Sequence, residues 1–332
     1  MDNITSQMLK ELPKEGLIKL LHIFNAVVRC SYWPTNFKSA QIILVLKPGK
    51  DPTDVMSYRP ISLLSTISKT LEKMLSRQIY IDTDLNNWIP DHQFGFRKAH
   101  STIQQRHRIT HTVNTALEHK QYCTAAFLDV SQAFDKVWHP GLLYKIKQLL
   151  PLGYFPLLTS YLQDRTYVTK VNTAISSVHP IHSGVPQGSI LGPMLYTIYT
   201  SDLPTSRHTV LSTFTDDTAI VAVDRSPNMA SQHLQDHLSS VGDWLRKWRI
   251  KVNQAKSMHV TFTNHSGQCP PIYLKQQQIP QGTSGKYLGM HLDSKLTWRE
   301  HIINKRKQLD HKTRKLLWII GRTSPLSLET SC

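Results

Sequence analysis

Cysteine is scarce in this chain: four residues in 332, at Cys30, Cys123, Cys269 and Cys332, with no CxxC pair among them. That spacing argues against a zinc ribbon and against a disulfide framework, and it fits a reducing compartment. Long apolar runs are missing as well, and none approaches the ~20 residues that span a bilayer. The opening MDNITSQMLKELPKEG is polar and mixed in charge and does not read as a signal peptide. Internal repeats, low-complexity tracts and long linkers are lacking too. The shortage with most consequence is of acid, since 23 Asp+Glu stand against 39 Lys+Arg, a formal net charge of +16. Such a surplus favours a polyanionic partner, with nucleic acid first. It is spread along the chain rather than packed beside an anchor, so a membrane surface fits less well. An intracellular protein is expected.

With 40% hydrophobic and 19% charged residues, the composition is that of an ordinary soluble chain of one to three compact units. Apolar spacing predicts a helix over about 5–28, interrupted at Pro13. AQIILVLKPGKDP reads as a buried-type strand ending in a basic Pro-Gly turn, and SYRPISLLSTISKTLEKMLSRQI as a turn feeding an amphipathic helix with Leu71, Met74, Leu75 and Ile79 inward. A second helix is expected in STIQQRHRITHTVNTALEHK, and an apolar strand in YCTAAFLDV. SGVPQGSILGPMLYTIYTSDL is a Gly/Pro loop entering a helix, with Pro193 in its first turn. TVLSTFTDDTAIVAV reads as strand, acidic turn and strand, and HIINKRKQLDHKTRKLLWII as a basic amphipathic helix. Strands and helices mix without strict alternation, which makes α+β the expected class.

Two acidic sites carry the chemistry. Asp129 ends the apolar run AAFLD, and Asp216 and Asp217 sit side by side in TFTDDTAI. Taken alone, each is an acid at a turn, a common arrangement. Together they are two buried-type strands each ending in acid within a basic chain. If the strands are neighbours, the carboxylates converge. Hard oxygen ligands of that kind suit Mg²⁺ or Mn²⁺. Two such ions ~3.5–4 Å apart serve an in-line phosphoryl displacement.

FLDVSQAFDKVWH, SGVPQGSILGP and FTDD, in that order and spacing, resemble the palm motifs of reverse transcriptases, in particular those of jockey-type non-LTR (LINE) retrotransposons. IILVLKPGKDP, YRPISLLSTISKTLEKML and QFGFRKAHST resemble the fingers motifs of that family, and WLRKWRIKVNQAKS and YLGMHLDSKLTW the two motifs that follow the acidic pair. The resemblance implies a right-hand polymerase fold, with fingers over 1–115, palm over 116–292 and a partial helical thumb over 293–332. It implies RNA-directed DNA synthesis, in which a primer 3′-hydroxyl attacks a dNTP on an RNA template. Asp129, Asp216 and Asp217 become the catalytic acids, holding two Mg²⁺ ions with the Val130 carbonyl as a further ligand. Lys47 and Arg59 match the residues that grip the triphosphate. Phe134 matches the aromatic under the sugar 2′ position, though a plain core Phe fits its spacing equally well. Gln187 and Gly188 lie along nucleotide and template by the same likeness, and Lys256 matches a lysine that protonates the departing pyrophosphate. Arg97, between aromatics, suits template contact.

Other residues take plainer readings. Trp244 and Trp248 are i,i+4 neighbours expected in the core. His107 and His111 have zinc-compatible spacing but no third ligand is placed to complete a site, so a surface helix is expected. The run Lys305, Arg306, Lys307, Lys312, Arg314 and Lys315 falls on the thumb helix and suits phosphate contact better than a localisation signal. Thr215 stands where the family commonly has a small residue and is expected to narrow the site and alter activity. Complete elements of the family also carry an endonuclease and further sequence after the thumb. Neither is seen here, so a fragment is expected, with nucleus and cytoplasm as its implied location. A non-catalytic nucleic-acid-binding remnant is the alternative. An RNA-dependent RNA polymerase or an intron maturase is weighed against by Phe134.

Overall fold

The computed structural model describes residues 4–86, 89–97, 99–130 and 132–320. Cys332 and the final SPLSLETSC lie outside them. Helices α1 (Ser6–Lys10) and α2 (Lys14–Arg29) flank Pro13, and strands β1 (Ser39–Leu46) and β2 (Tyr58–Leu63) pair as an antiparallel ribbon. Helices α3 (Thr66–Asn86) and α4 (Thr102–Glu118) lead to β3 (Tyr122–Asp129). Then come α5 (His139–Leu149), α6 (Tyr154–Leu162), and the short strands β4 (Thr166–Val171), β5 (Ala174–Ile175) and β6 (His179–Pro180). Helix α7 (Leu191–Thr200) precedes the hairpin β7 (Thr209–Phe214) and β8 (Asp217–Asp224), then α8 (Pro227–Lys247) and β9 (Met258–Phe262). The last strands are β10 (Tyr273–Leu274), β11 (Gln277–Gln278), β12 (Gln281–Gly282), β13 (Ser284–Tyr287) and β14 (Met290–Asp293), followed by α9 (Arg299–Ile320).

Two five-stranded sheets organise these elements, beside the two-stranded pairs β10-β11 and β13-β14. The first has the order β2-β1-β4-β5, with β6 on β4; the second has the order β12-β9-β3-β8-β7. Because β4–β6 join β1, the sheets do not divide the chain at one point. β3 is central in the second sheet and antiparallel to both β8 and β9. Its side chains alternate between two cores. Cys123, Ala125 and Phe127 pack with Ile109 and Val113 of α4 and with Val260 and Phe262 of β9. Ala126 and Leu128 face the opposite core, built from α5, α7 and α8. A strand covered on both faces has no polar side to show. That is why YCTAAFLD reads as an unbroken apolar run and not as an alternation.

Three local expectations need correction. β1 is not of the buried type, since only Ala40 is buried and Leu44, Val45 and Leu46 are exposed. SYRPISL is the strand β2 rather than a turn; it is an edge strand, where Pro60 costs no ladder bond. Met74 is exposed, while Leu71, Leu75 and Ile79 are buried as expected. The buried stripe of α3 is rotated away from Met74 because it also takes in Ser68, Glu72 and Ser76. Trp244 and Trp248 are core residues, and His107 and His111 stack on the outer face of α4 with ring centroids 6.1 Å apart.

Glu72 explains the rotation. Its carboxylate is fully buried and accepts the Ile190 and Leu191 amides at 2.8 and 3.1 Å, two donors at the start of α7. Burial pushes its carboxyl up, while those amides and Arg165 pull it back toward the charged form. Replacing Glu72 with Leu strands both amides and the buried Arg165, and is expected to cost about 3–5 kcal/mol in urea unfolding. Glu72→Gln keeps an acceptor and should lose clearly less. Equal loss from both substitutions would show that the oxygen is not what matters.

Candidate active site

The catalytic geometry begins with strand register. Asp129 lies opposite Asp217 across the β3–β8 ladder. The Asp129 amide donates to Ser257 Oγ at 3.2 Å and its carbonyl accepts from the Asn253 amide at 2.8 Å, both on the β9 side. With its backbone engaged there, Asp129 meets Asp217 as a non-hydrogen-bonded pair, the kind whose Cα atoms approach to about 4.5 Å. Their side chains share the face that carries Phe127. Val130 continues as an isolated antiparallel bridge to Val252. The Asn253–Asp129 bond makes that bridge non-hydrogen-bonded too, so the Val130 carbonyl turns away from Val252 and toward the β8 side.

Thr215 and Asp216 are the two central residues of the β7–β8 hairpin, closed by Phe214 opposite Asp217. Thr215 has φ +62° and Asp216 does not share a positive φ, the pattern of a II′ turn. Glycine is the usual residue at that first position, and a β-branched one is uncommon. Thr215 is not among the residues that line the cleft holding Asp129 and Asp216. It lines a narrow crevice of about 30 Å³ beneath the hairpin, together with Val130, Tyr196 and Trp244.

A cleft of about 440 Å³ opens between the two sheets, its walls including Lys47, Arg59, Asp129, Phe134, Gln187 and Asp216. Asp135 also lines it, with its carboxyl pushed up by burial. A larger groove of about 690 Å³ on the outer face of α8 holds none of the three acids. Lys47 Nζ donates to the Met56 carbonyl at 2.8 Å, which steadies the ammonium at the mouth. Phe134 stacks on Tyr196 at 5.0 Å and meets Phe96 edge-on at 6.3 Å, so it is a fixed wall of the cleft. The Gln187 carbonyl accepts from the Ser62 amide at 2.8 Å, tying its loop to β2. Gly188 follows at φ +120°, where a Cβ would sit 2.5 Å from the Ser62 carbonyl oxygen; only glycine fits.

The carboxylates crowd one another. Asp217 is pushed up to about 6, first by desolvation and then by the charges of Asp216 and Asp129, against a smaller pull from Lys286. Asp216 is raised by desolvation and by Asp129, with Arg59 opposing. Both side chains reach solvent at the sheet end, yet enough protein surrounds them to strip part of their hydration. Among the described residues no three His, Cys, Asp or Glu side chains are gathered as a ready metal site. The acids adjoin pairwise instead, an all-oxygen donor set suited to a hard divalent cation that keeps other oxygen ligands.

Two predicted residues stand apart. Lys256 is exposed beyond Asn253 and does not line the cleft, although its turn is bonded to the end of β3. Arg97 pairs with Asp91 at 3.6 Å, beside the same sheet. The cations Lys305, Arg306, Lys307, Lys312, Arg314 and Lys315 are all exposed on α9. The sequence reading missed Lys286, which β13 brings toward Asp217. Tyr287 fixes that strand by donating to the Ser212 carbonyl at 3.1 Å. It also missed Gln93, whose side chain bonds the Thr215 amide at 3.1 Å. Lys286 carries no local signal, whereas Gln93 opens the QFGFRKAHST motif, whose likeness alone does not point to the hairpin.

An antiparallel sheet ending in acids beneath a basic ribbon is the architecture of the right-hand polymerases, and the fold is of that α+β class. Two apo telomerase structures from Candida tropicalis share it, with TM-scores of 0.54 and 0.55 over 85% and 86% of this chain, 59% and 53% of theirs, at 13% and 12% identity. Residues 45–292 match the family described as reverse transcriptase (RNA-dependent DNA polymerase), and the chain belongs to that family. It is 40% identical over 332 residues to the probable RNA-directed DNA polymerase from transposon X-element, and 40% over 335 residues to the RNA-directed DNA polymerase from mobile element jockey, both of Drosophila melanogaster. Each alignment covers 98% of this chain, which spans only 37% of either relative. The family works with divalent metal ions. No helix among the described residues is long and apolar enough to cross a membrane.

Asp217 gives a pH test. Its raised value means that the folded protein keeps a proton which the unfolded chain has already lost, so its charge weakens the fold as pH rises through about 6. Asp217→Asn is therefore expected to raise the melting temperature of the metal-free protein at pH 7.5. The gain should shrink toward zero near pH 4, where wild type is neutral as well. Identical melting curves at pH 7.5 would refute the crowding.

Proposed function

We propose that this chain is the polymerase region of a non-LTR retrotransposon reverse transcriptase, extending a DNA primer with dNTPs on an RNA template. The observation that carries the reading is the Asp129–Asp217 pair, with Asp216 in the adjoining turn, set across a cleft from Lys47 and Arg59. Phosphoryl transfer asks a protein chiefly for positioning and charge neutralisation, and this cleft holds groups for both.

Lys47 and Arg59 take the triphosphate, Arg59 being close enough to Asp216 to stabilise its charge. Phe134, held between Tyr196 and Phe96, closes the space under the sugar 2′ position. Gln187 and Gly188 run along the base and template strand. Lys256, exposed outside the cleft on a turn bonded to the end of β3, donates a proton to the departing pyrophosphate once its side chain swings toward the acids. When bound, two divalent cations (Mg²⁺ or Mn²⁺) on Asp129, Asp216, Asp217 and the Val130 carbonyl supply the charge that activates the primer 3′-hydroxyl and steadies the leaving group. The cations of α9 contact the phosphate backbone of the duplex. In domain terms, fingers cover 1–115 together with the β4–β6 insert, the rest of 116–292 is palm, and thumb begins at 293. RNA template, DNA primer and dNTPs are the partners, met in the nucleus and cytoplasm.

Primer extension on an RNA template tests the reading. Wild type is expected to extend with Mg²⁺, and Asp216→Ala to fall by roughly three orders of magnitude with RNA binding intact. A wild type that binds RNA and never extends would overturn it. The sugar-gating role has its own test, because Phe134→Ala should relax discrimination against ribonucleotides by roughly 10- to 100-fold. Unchanged discrimination would return Phe134 to a packing role.

A further inference from the structure

The segment Asp91–Arg97, before α4, runs beside β7 as an added edge. The Thr213 amide donates to the His92 carbonyl at 2.9 Å, and the Phe94 amide returns a bond to the Thr213 carbonyl at 3.0 Å. Gln93 forms a parallel bridge to Thr213 at the same point. From α4, the fully buried Gln105 donates to both the His92 and Thr213 carbonyls at 3.0 Å, locking the edge in place.

Gln93 reaches further along the hairpin. Its buried side-chain oxygen accepts from the Gly95 amide at 2.7 Å and from the Thr215 amide at 3.1 Å. The first central amide of a two-residue turn has no ladder partner of its own, so this bond satisfies it. Gly95 lies flat against the same turn: a Cβ there would stand 2.4 Å from the Thr215 nitrogen and 2.6 Å from its Oγ1. A β-branched residue at φ +62° persists only where its surroundings over-determine the backbone. Gln93 and Gly95 are those surroundings. The segment also carries Phe96, edge-on to Phe134 in the cleft wall.

We propose that Gln93 is a positioning residue for the acid pair, holding the Thr215 turn so that Asp216 faces the cleft while Asp217 faces Asp129, without touching substrate. The inference rests on the reading of those acids as the site of nucleotidyl transfer. Gly95 supplies the flat surface that lets the side chain reach the turn. The segment thereby couples the cleft wall at Phe96 to the acids at Thr215.

The test combines hydrogen–deuterium exchange on the metal-free 332-residue chain with steady-state primer extension and thermal melting. Gln93→Met is expected to speed exchange of the Thr215 amide and to lower kcat by roughly 10- to 100-fold, with the dNTP KM within about twofold and the melting temperature near wild type. Gln93→Glu retains an acceptor and should keep that amide protected. Gly95→Ala should lose kcat without rescue by Thr215→Ala, because the clash with the Thr215 backbone nitrogen remains. Unchanged exchange or unchanged kcat in Gln93→Met overturns the proposal, as does a loss of activity that only tracks a fall in melting temperature. If wild type itself fails to extend, the functional reading falls, and the exchange measurements still decide whether Gln93 holds the turn.

Discussion

Mutual repulsion among three carboxylates at one end of a sheet is the constraint around which this molecule is built. Burial first, and then the neighbouring carboxylates, raise the proton affinity of Asp216 and Asp217, and nearby cations offset only part of it. Such an arrangement survives because it is imposed by elements that are stable for other reasons. The apolar side chains of β3, packed into a core on each face, hold the strand in register, and the register delivers the acids. The energy that crowds the site comes from burial elsewhere in the same strands.

The cleft depends on a second, neutral connection. The VPQG loop is fastened on three sides: the Val185 amide to the Phe134 carbonyl, the Gln187 carbonyl to the Ser62 amide, and the following helix start to Glu72. These bonds join the β1-centred sheet to the β3-centred one at the floor of the cleft. The basic residues of one sheet therefore keep a set distance from the acids of the other. Gly188 permits this because its backbone sits directly on Ser62.

Much of this was legible in the chain itself. The strand–turn–strand around Asp216 and Asp217 and the apolar run into Asp129 carry their own punctuation, and their pairing follows once both are known to be strands. The fold class came from the ordered motifs as much as from periodicity. What escaped reading was decided by distant partners. β2 was hidden by Pro60, which is harmless only because the strand lies at an edge. Glu72 lies inside because the α7 amides donate to it there, partners more than a hundred residues away. Lys286 is a polar residue in a polar stretch, and Gln93, although it opens the QFGFRKAHST motif, has no neighbour in sequence that names the hairpin as its partner. Thr215 was recognised as unusual, but the sign of its φ is a property of the turn.

The register between β3 and β8 also sets which genetic accidents this protein survives. Eight consecutive residue pairs separate the start of β3 from its acid, Tyr122 opposite Asp224 through to Asp129 opposite Asp217. Side chains alternate with period two, so loss or gain of a single codon anywhere within either strand turns Asp129 or Asp217 to the opposite face and exchanges the contents of the two cores. A substitution at most of those positions alters one contact. An in-frame length change of one residue there dismantles the site from as far as seven positions away, with every acid still spelled out in the gene.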